Sequence, residues 1–454
     1  MFKKIEIWIL YLVLLIGFLF TISFGTLVRQ ELVGNMKLGI VSKGALFLAE
    51  IPVTIRMIFK DSELKSAESR FENFKGFEGA PSEKEMYLLL SKFDGDIKEG
   101  IVELVDLTNF DRIHVWNPNF DEMNKLAKNK GKEFQWLDRD YNDSRARLKH
   151  PYLTTNGELI FLDTSPLRSI NECSELLWQN TDDLFHHSIE VDHNGNFWVP
   201  THIYPQSISK KKIGTNTIYE DGYFDDAIVK VSKSGKILYQ KSVSQIFIEN
   251  DMEYLLFSAL GGGFKADPIH LNDIQPVMSN GNYWKKGDVF ISLRHQSMII
   301  LFRPSTNQII WKSAGKFYHQ HDIDILDENR ISIFNNNSKN FYNGDIVDGS
   351  NEVIIYDFEK DQYDNFLDEQ MKDYDIRTNT NGRNEILPDG SLLVEETNFG
   401  RTLFFNSDGT LRWAHYNRAD DNSLYRVGWS RLLYRDEDIE SVRKFIANKK
   451  DCKR

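Results

Sequence analysis

The chain of 454 residues is 41% hydrophobic and 13% aromatic, enough to bury a sizeable core, as one repeat-built domain or as two or three ordinary ones. Its formal net charge of -12, with no long basic run, excludes an electrostatic footprint for DNA or RNA. Its two cysteines, Cys173 and Cys452, lie far apart in sequence, so neither a disulfide framework nor a C-x-x-C metal or redox motif can be read.

At the N-terminus, Lys3 and Lys4 precede an apolar run from Ile7 to Phe24 that continues to Val28 with only Gly and Thr added. About 20 apolar residues cross the hydrocarbon as a helix, whereas the core of a cleaved signal is about 7 to 15 residues. A small-residue cleavage site is missing, Ser23-Phe-Gly25 being a weak substitute. Residues 1–30 therefore read as a membrane anchor, or else a signal segment. The positive end stays inside and the rest is exported to the periplasmic or extracellular side. Residues 31–97 turn from sparsely charged to polar, with breaks at Gly76, Gly79 and Pro81, and are expected to form a helical stalk and connector.

From residue 98 a unit recurs in which a turn of Asn or Asp beside Gly leads into a short apolar strand, followed by a further strand pair. Its first half appears as Asn156-Gly-Glu-Leu-Ile-Phe161, Asn194-Gly-Asn-Phe-Trp-Val199, Gly287-Asp-Val-Phe-Ile291 and Asp389-Gly-Ser-Leu-Leu-Val394. Its second half appears as Ser234-Gly-Lys-Ile-Leu-Tyr239 and Asp408-Gly-Thr-Leu-Arg-Trp413. Such turns between apolar runs signal hairpins, and four strands per roughly 40 to 70 residues is the pattern of propeller blades. A further strand group, Ile101 to Trp116, is expected to pair with the last unit and close a six-bladed β-propeller over residues 98–433. A β-sandwich is the rival architecture, disfavoured by so many similar units in a row. Residues 434–454 follow as a short helix and tail, with Ile439, Val442, Phe445 and Ile446 at helical spacing.

His150, His187, His270 and His321 each stand just before the first strand of a unit. In a propeller that strand lines the central channel, so four blades point imidazoles at one region. His114, His193, His202 and His415 read as ordinary structural histidines. The set of four, together with Arg294, fits either a metal site or an anion site. No H-E-x-x-H pattern accompanies the histidines, and a guanidinium beside them favours a tetrahedral oxyanion held by two parallel hydrogen bonds. A neutral imidazole then serves as nucleophile, with its cationic neighbours stabilising charge on the equatorial oxygens.

Four stretches, Phe185-His-His187, His270-Leu-Asn272, Ser292-Leu-Arg294-His-Gln296 and Gln320-His321, resemble the bacterial arylsulfotransferase family from about Leu104 to Trp413. The resemblance implies a six-bladed propeller that moves a sulfuryl group from a phenolic sulfate ester to a phenol by a ping-pong mechanism. It requires no cofactor and no nucleotide sulfate donor (PAPS), consistent with Gly261-Gly-Gly263 lacking a following Gly-Lys-Ser/Thr. It also implies that His321 carries the sulfuryl group as a sulfohistidine, and that His270, Arg294 and His187 bind the sulfuryl oxygens. His186 is the alternate to His187, Asn272 and His319 are further candidates for substrate contact, and no metal ligand is implied. The retained anchor and the lack of a cysteine pair near the active site depart from the pattern of some members. A propeller that binds a ligand or protein partner at the cell envelope without catalysis is the alternative, because the fold alone does not fix activity.

Overall fold

The computed structural model describes residues 6–32, 39–59, 64–66, 70–71, 74–127, 134, 137–209, 213, 223–258, 264–341, 344–450 and 452. Lys3, Lys4 and Gly261-Gly-Gly263 lie outside the described residues. The chain divides into two units, one comprising Met1–Asp61, Ile208–Tyr223 and Phe264–Ala266. The other comprises Ser62–Ser207, Phe224–Gly263 and Asp267–Arg454.

In the first unit the apolar run forms a helix over Ile7–Leu32, whose first charged residue is Arg29 in its last turn. Over Ile7–Glu31 it reaches a hydropathy of 2.5 and buries none of it, and among the described residues it is the one helix long and apolar enough to cross a membrane. A second helix, Ile40–Phe59, contains Pro52. Ser42 Oγ donates to Glu31 Oε2 at 2.7 Å, tying the second helix to the end of the first.

The second unit is a six-bladed β-propeller. Five blades follow chain order, with inner strands Lys149–Leu153, Glu190–Val191, Leu271–Pro276, Ile323–Ile325 and Arg383–Ile386, each paired outward in antiparallel meanders. The remaining blade, counted as the first because its outer strands come earliest in the chain, takes its inner strand, Arg431–Leu433, from the C-terminal end and its outer three, Tyr87–Asp94, Glu99–Asp106 and Asp111–Trp116, from the N-terminal side. In return, Gly76–Gly79 adds an outermost strand to the last blade, pairing with Leu411–Tyr416. The ring is thus closed by exchanging strands in both directions, so that each of the six blades is a complete sheet of at least four strands.

This corrects the expected connector, since residues 76–97 already supply two propeller strands. Tyr87-Leu-Leu-Leu-Ser lies between two neighbours and is buried at every position, so it lacks the alternation that marks a half-exposed strand. Strand faces elsewhere are similarly sandwiched: all of Val289–Leu293 and Arg401–Phe405 is buried. Blades touch through such faces, as where Leu104 and Trp116 of one blade share a core with Leu159, Phe161 and Ile170 of the next. At the Ser234-Gly turn, Gly235 has φ 81° and a Cβ there would come within 2.6 Å of the Trp178 ring in the preceding blade, so the turn residue is also a packing residue.

The C-terminal helix, Asp436–Asn448, buries Val442 and Phe445, with Phe445 against Trp116 and His114. Beyond it, Cys452 is disulfide-bonded to Cys173, with Cα atoms 5.3 Å apart. Nothing in the spacing of the two cysteines discloses this bond. The 279-residue separation hides a pairing that exists because the docked helix returns the tail to the Asn171–Glu175 turn of the second blade.

Candidate active site at the hub of the propeller

One residue precedes or opens each inner strand: His150, His187, His270, His321, Asn381 and Trp429, one from each of the six blades. All but His321 have left-handed backbones, with φ of 42°, 61°, 55°, 58° and 61° in that order. Each such turn costs about 1 kcal/mol for a residue with a Cβ and persists only where the surroundings over-determine it. The His150 N–H donates to Gly428 O at 2.8 Å, and the His270 N–H to Asp226 Oδ2 at 3.0 Å. The chain bends inward there and sends the side chain to the hub.

The rings meet. His187 lies 5.4 Å from His270, 6.0 Å from His321 and 6.5 Å from Trp429 between ring centroids, and Trp429 lies 5.5 Å from His150 and 6.2 Å from His321. The structure brings the rings of His187, His270 and His321 together, joins His150 to them through Trp429, and adds that indole, which the sequence does not single out. Its signal is its phase, two residues before a strand too short to recognise as apolar. Of the neighbouring pair it is His187 that faces the hub; His186 packs its ring 4.3 Å from His202, and the two Nδ1 atoms of His186 and His187 are 2.7 Å apart.

His321 is held at both nitrogens. Its Nδ1 lies 2.6 Å from Asn336 Oδ1 and 3.1 Å from His319 O, both acceptors, so Nδ1 carries the proton. Its Nε2 accepts the Asn381 N–H at 2.9 Å. The Asn336 amide is itself oriented, because its Nδ2 donates to Thr378 O at 2.9 Å and Asn381 O at 2.7 Å, leaving only the oxygen to face the imidazole. Burial, and then the Arg294 charge, hold the His321 imidazole well below the usual histidine range. Burial does the same for His187, with the His186 and His270 charges adding. His319 is lowered to about 4 by burial and Arg294.

Arg294 is buried, with one terminal nitrogen 2.6 Å from Asp345 Oδ2 and the other 2.8 Å from His295 Nε2. Its Nε, like His319 Nδ1, has no hydrogen-bond partner among the described residues. His270 Nδ1 pairs with Asp267 Oδ2 at 2.6 Å. Asn272 is fully buried and its amide donates to Gln320 O at 2.7 Å, so it fixes the segment that carries His321.

An acid stands three residues after His187, His270 and His321, a spacing the sequence reading did not weigh: Glu190, Asp273 and Asp324. These side chains do not meet the histidines that precede them. Glu190 approaches His150 Nε2 at 3.3 Å and Arg431 at 3.6 Å. Burial pushes Asp273 up to about 7, with the Glu190 charge adding, and raises Asp322 and Asp324 as well. Arg383, 3.7 Å from Asp322 and 3.5 Å from Glu385, offsets part of this buried charge.

The fold and hub thus define a six-bladed propeller whose hub gathers imidazoles, an indole and a buried guanidinium. The family model described as Arylsulfotransferase (ASST) matches residues 150–418, more than half of the chain, and the chain belongs to that family. The matched segment holds all four hub histidines and Arg294, and the domain is that of a sulfotransferase enzyme. No match was found among curated proteins. Among solved structures, a protein of unknown function from Bacteroides caccae aligns at 11% identity and TM-score 0.45, covering 77% of this chain and 99% of its own. A virginiamycin B lyase from Staphylococcus aureus with quinupristin aligns at 10% identity and TM-score 0.33, covering 59% of this chain and 69% of its own. A streptogramin B lyase aligns at 11% identity and TM-score 0.34, covering 63% and 92%.

Proposed function

We propose that the protein is an aryl sulfotransferase that transfers a sulfuryl group from a phenolic sulfate ester to a phenol through a sulfohistidine on His321, without a nucleotide sulfate donor. The observation that carries this reading is the unprotonated Nε2 of a buried, neutral His321 whose other nitrogen is fixed by Asn336. In the first half-reaction the Nε2 lone pair exchanges its contact with the Asn381 N–H for the sulfur. The S–N bond forms as the S–O(aryl) bond breaks, and its electron pair leaves on the phenolate. In the second, the acceptor phenol loses its proton to water as its oxygen attacks sulfur, and the S–N pair returns to Nε2. Separating one transfer into two gives ping-pong turnover.

The unpartnered Nε of Arg294 and Nδ1 of His319 are buried polar atoms suited to an oxyanion, and they support binding of the sulfuryl oxygens by Arg294, His270 and His187. Membrane anchoring by Ile7–Leu32 and export of the propeller fit a disulfide that persists in oxidising compartments. On this reading the chain comprises an anchor, a connector, the catalytic propeller and a C-terminal helix with its tail.

The test is intact mass of the protein mixed with an aryl sulfate and no acceptor. The mass should rise by one sulfuryl group, the added group should map to His321 and vanish when phenol is supplied, and His321→Ala should show neither adduct nor transfer. An adduct on His319 moves the nucleophile within the same hub. Absence of both adduct and phenol release over several aryl sulfates favours a propeller that binds without catalysis.

A further inference from the structure

Beside His187 and His270, the third blade gathers His186, His202 and Asp226. They come from three adjacent segments: His186 follows the strand Leu184–Phe185, His202 ends Phe197–His202, and Asp226 begins Asp226–Val231. His202 and Asp226 are register partners, and the His186 N–H donates to Pro200 O at 3.0 Å, so the backbone of one sheet sets all three positions. The sequence reading took His202 for an ordinary structural histidine; its ring instead lies 4.3 Å from that of His186.

Asp226 Oδ1 lies 3.3 Å from His186 Nε2 and 3.4 Å from His202 Nε2, and the three atoms fall within 4.8 Å of one another. These approaches do not have hydrogen-bond geometry. His186 Nε2 and Asp226 Oδ1 are fully buried, and neither has a hydrogen-bond partner among the described residues. His186 is 5% exposed and Asp226 0%, so in this buried place the carboxylate meets the two imidazoles only at ion-pair distance, without aligned hydrogen bonds. The two carboxylate–imidazole separations have a direct reading. Donors about 2.0 to 2.1 Å from one zinc ion at tetrahedral angles lie about 3.3 to 3.4 Å from each other. We propose that His186, His202 and Asp226 form a three-ligand binding site for zinc(II), with a fourth position open to solvent beside His202.

The donor set selects the ion class, since two imidazoles and one carboxylate suit zinc or a similar transition ion rather than magnesium or calcium. The carboxylate has a second partner of the kind that orients metal ligands, its Oδ2 accepting the His270 N–H at 3.0 Å. The site also bears on the hub. With zinc on Nε2, the His186 proton must reside on Nδ1, which faces His187 Nδ1 at 2.7 Å. His187 then accepts at Nδ1 and carries its own proton on Nε2, one tautomer in place of two. His186 is in this sense a positioning residue.

The experiment uses full-length protein in detergent, stripped with a chelator and titrated calorimetrically with zinc chloride in the absence of any sulfate ester. It therefore stands or falls separately from the transfer reaction. One zinc should bind per chain. His202→Ala should abolish that binding, whereas His295→Ala, in the separate Asp267, His270 and His295 cluster, should retain it. X-ray absorption of the zinc-loaded wild type should show two imidazoles and oxygen donors, a readout that does not depend on the folding of a variant. Absence of saturable zinc binding, wild-type binding by His202→Ala, loss in His295→Ala instead, or a first shell without two imidazoles overturns the proposal.

Discussion

His321 illustrates how much chemistry a single buried ring acquires from its neighbours. Burial and Arg294 depress its proton affinity, and Asn336 leaves Nε2 as the free base. An imidazole with the ordinary value near 6.5 is only about one-tenth neutral at pH 5.5. Adduct formation from an aryl sulfate with a good leaving group should therefore be nearly unchanged between about pH 7.5 and pH 5.5. Arg294→Gln removes a cation that opposes protonation, so its acid limb should move to higher pH, and adduct formation should slow by roughly 10² to 10³ if Arg294 acts as other oxyanion stabilisers do. Rapid-quench mass spectrometry across pH checks both; a wild-type limb near pH 6.5 contradicts the neutral-base account. Asn336→Ala should slow the same step by roughly 10- to 100-fold while leaving the apparent affinity for donor nearly unchanged, as expected of a group that acts through another.

At the scale of elements, the part of the site that was legible in the sequence is the part that repeats. His150, His187, His270 and His321 all stand within three residues of the start of an inner strand, and a repeated place in a propeller means a shared direction. Asn381 and Trp429 occupy the same place in the other two blades but break the residue type, and the three-residue strand after Trp429 carries too little pattern to reveal itself. Asn336 is invisible for another reason: it reaches His321 through tertiary packing 15 residues away, not through the repeat. The Cys173–Cys452 bond is the extreme case, because only the docking of the C-terminal helix brings the two thiols together. Closing so long a loop should stabilise the fold by roughly 2 to 4 kcal/mol, chiefly by restricting the unfolded chain. Cys452→Ser, or wild type under reducing conditions, should unfold at lower denaturant than oxidised wild type with unchanged adduct formation under native conditions. Equal midpoints would mean that the helix docks without help from the bond.

For the molecule as a whole, the decisive feature is that the propeller closes from both ends of its chain. Arg431–Leu433 pairs with Tyr87–Leu89 to complete one blade, while Gly76–Gly79 completes another. Without the C-terminal strand, the first blade would lose its inner strand, Trp429 would lose the turn that holds it, and the edge of Tyr87–Asp94 that it covers would be exposed to solvent or to other chains. Blade faces cannot bury their apolar surface singly, so the loss should propagate around the ring. Removing residues 434–454 deletes the helix and the disulfide but spares closure, and should leave a folded, less stable protein that still forms the adduct. Removing residues 429–454 deletes the closing strand as well, and should give protein that is recovered as aggregate or unfolds without a cooperative transition. Both truncations keep the N-terminal helix, so membranes prepared from each should retain full-length variant after alkaline carbonate washing if Ile7–Leu32 anchors the chain. The comparison separates closure from mere shortening: a cooperative transition in the longer deletion equal to that in the shorter one would show that the ring does not depend on the strand that joins its ends.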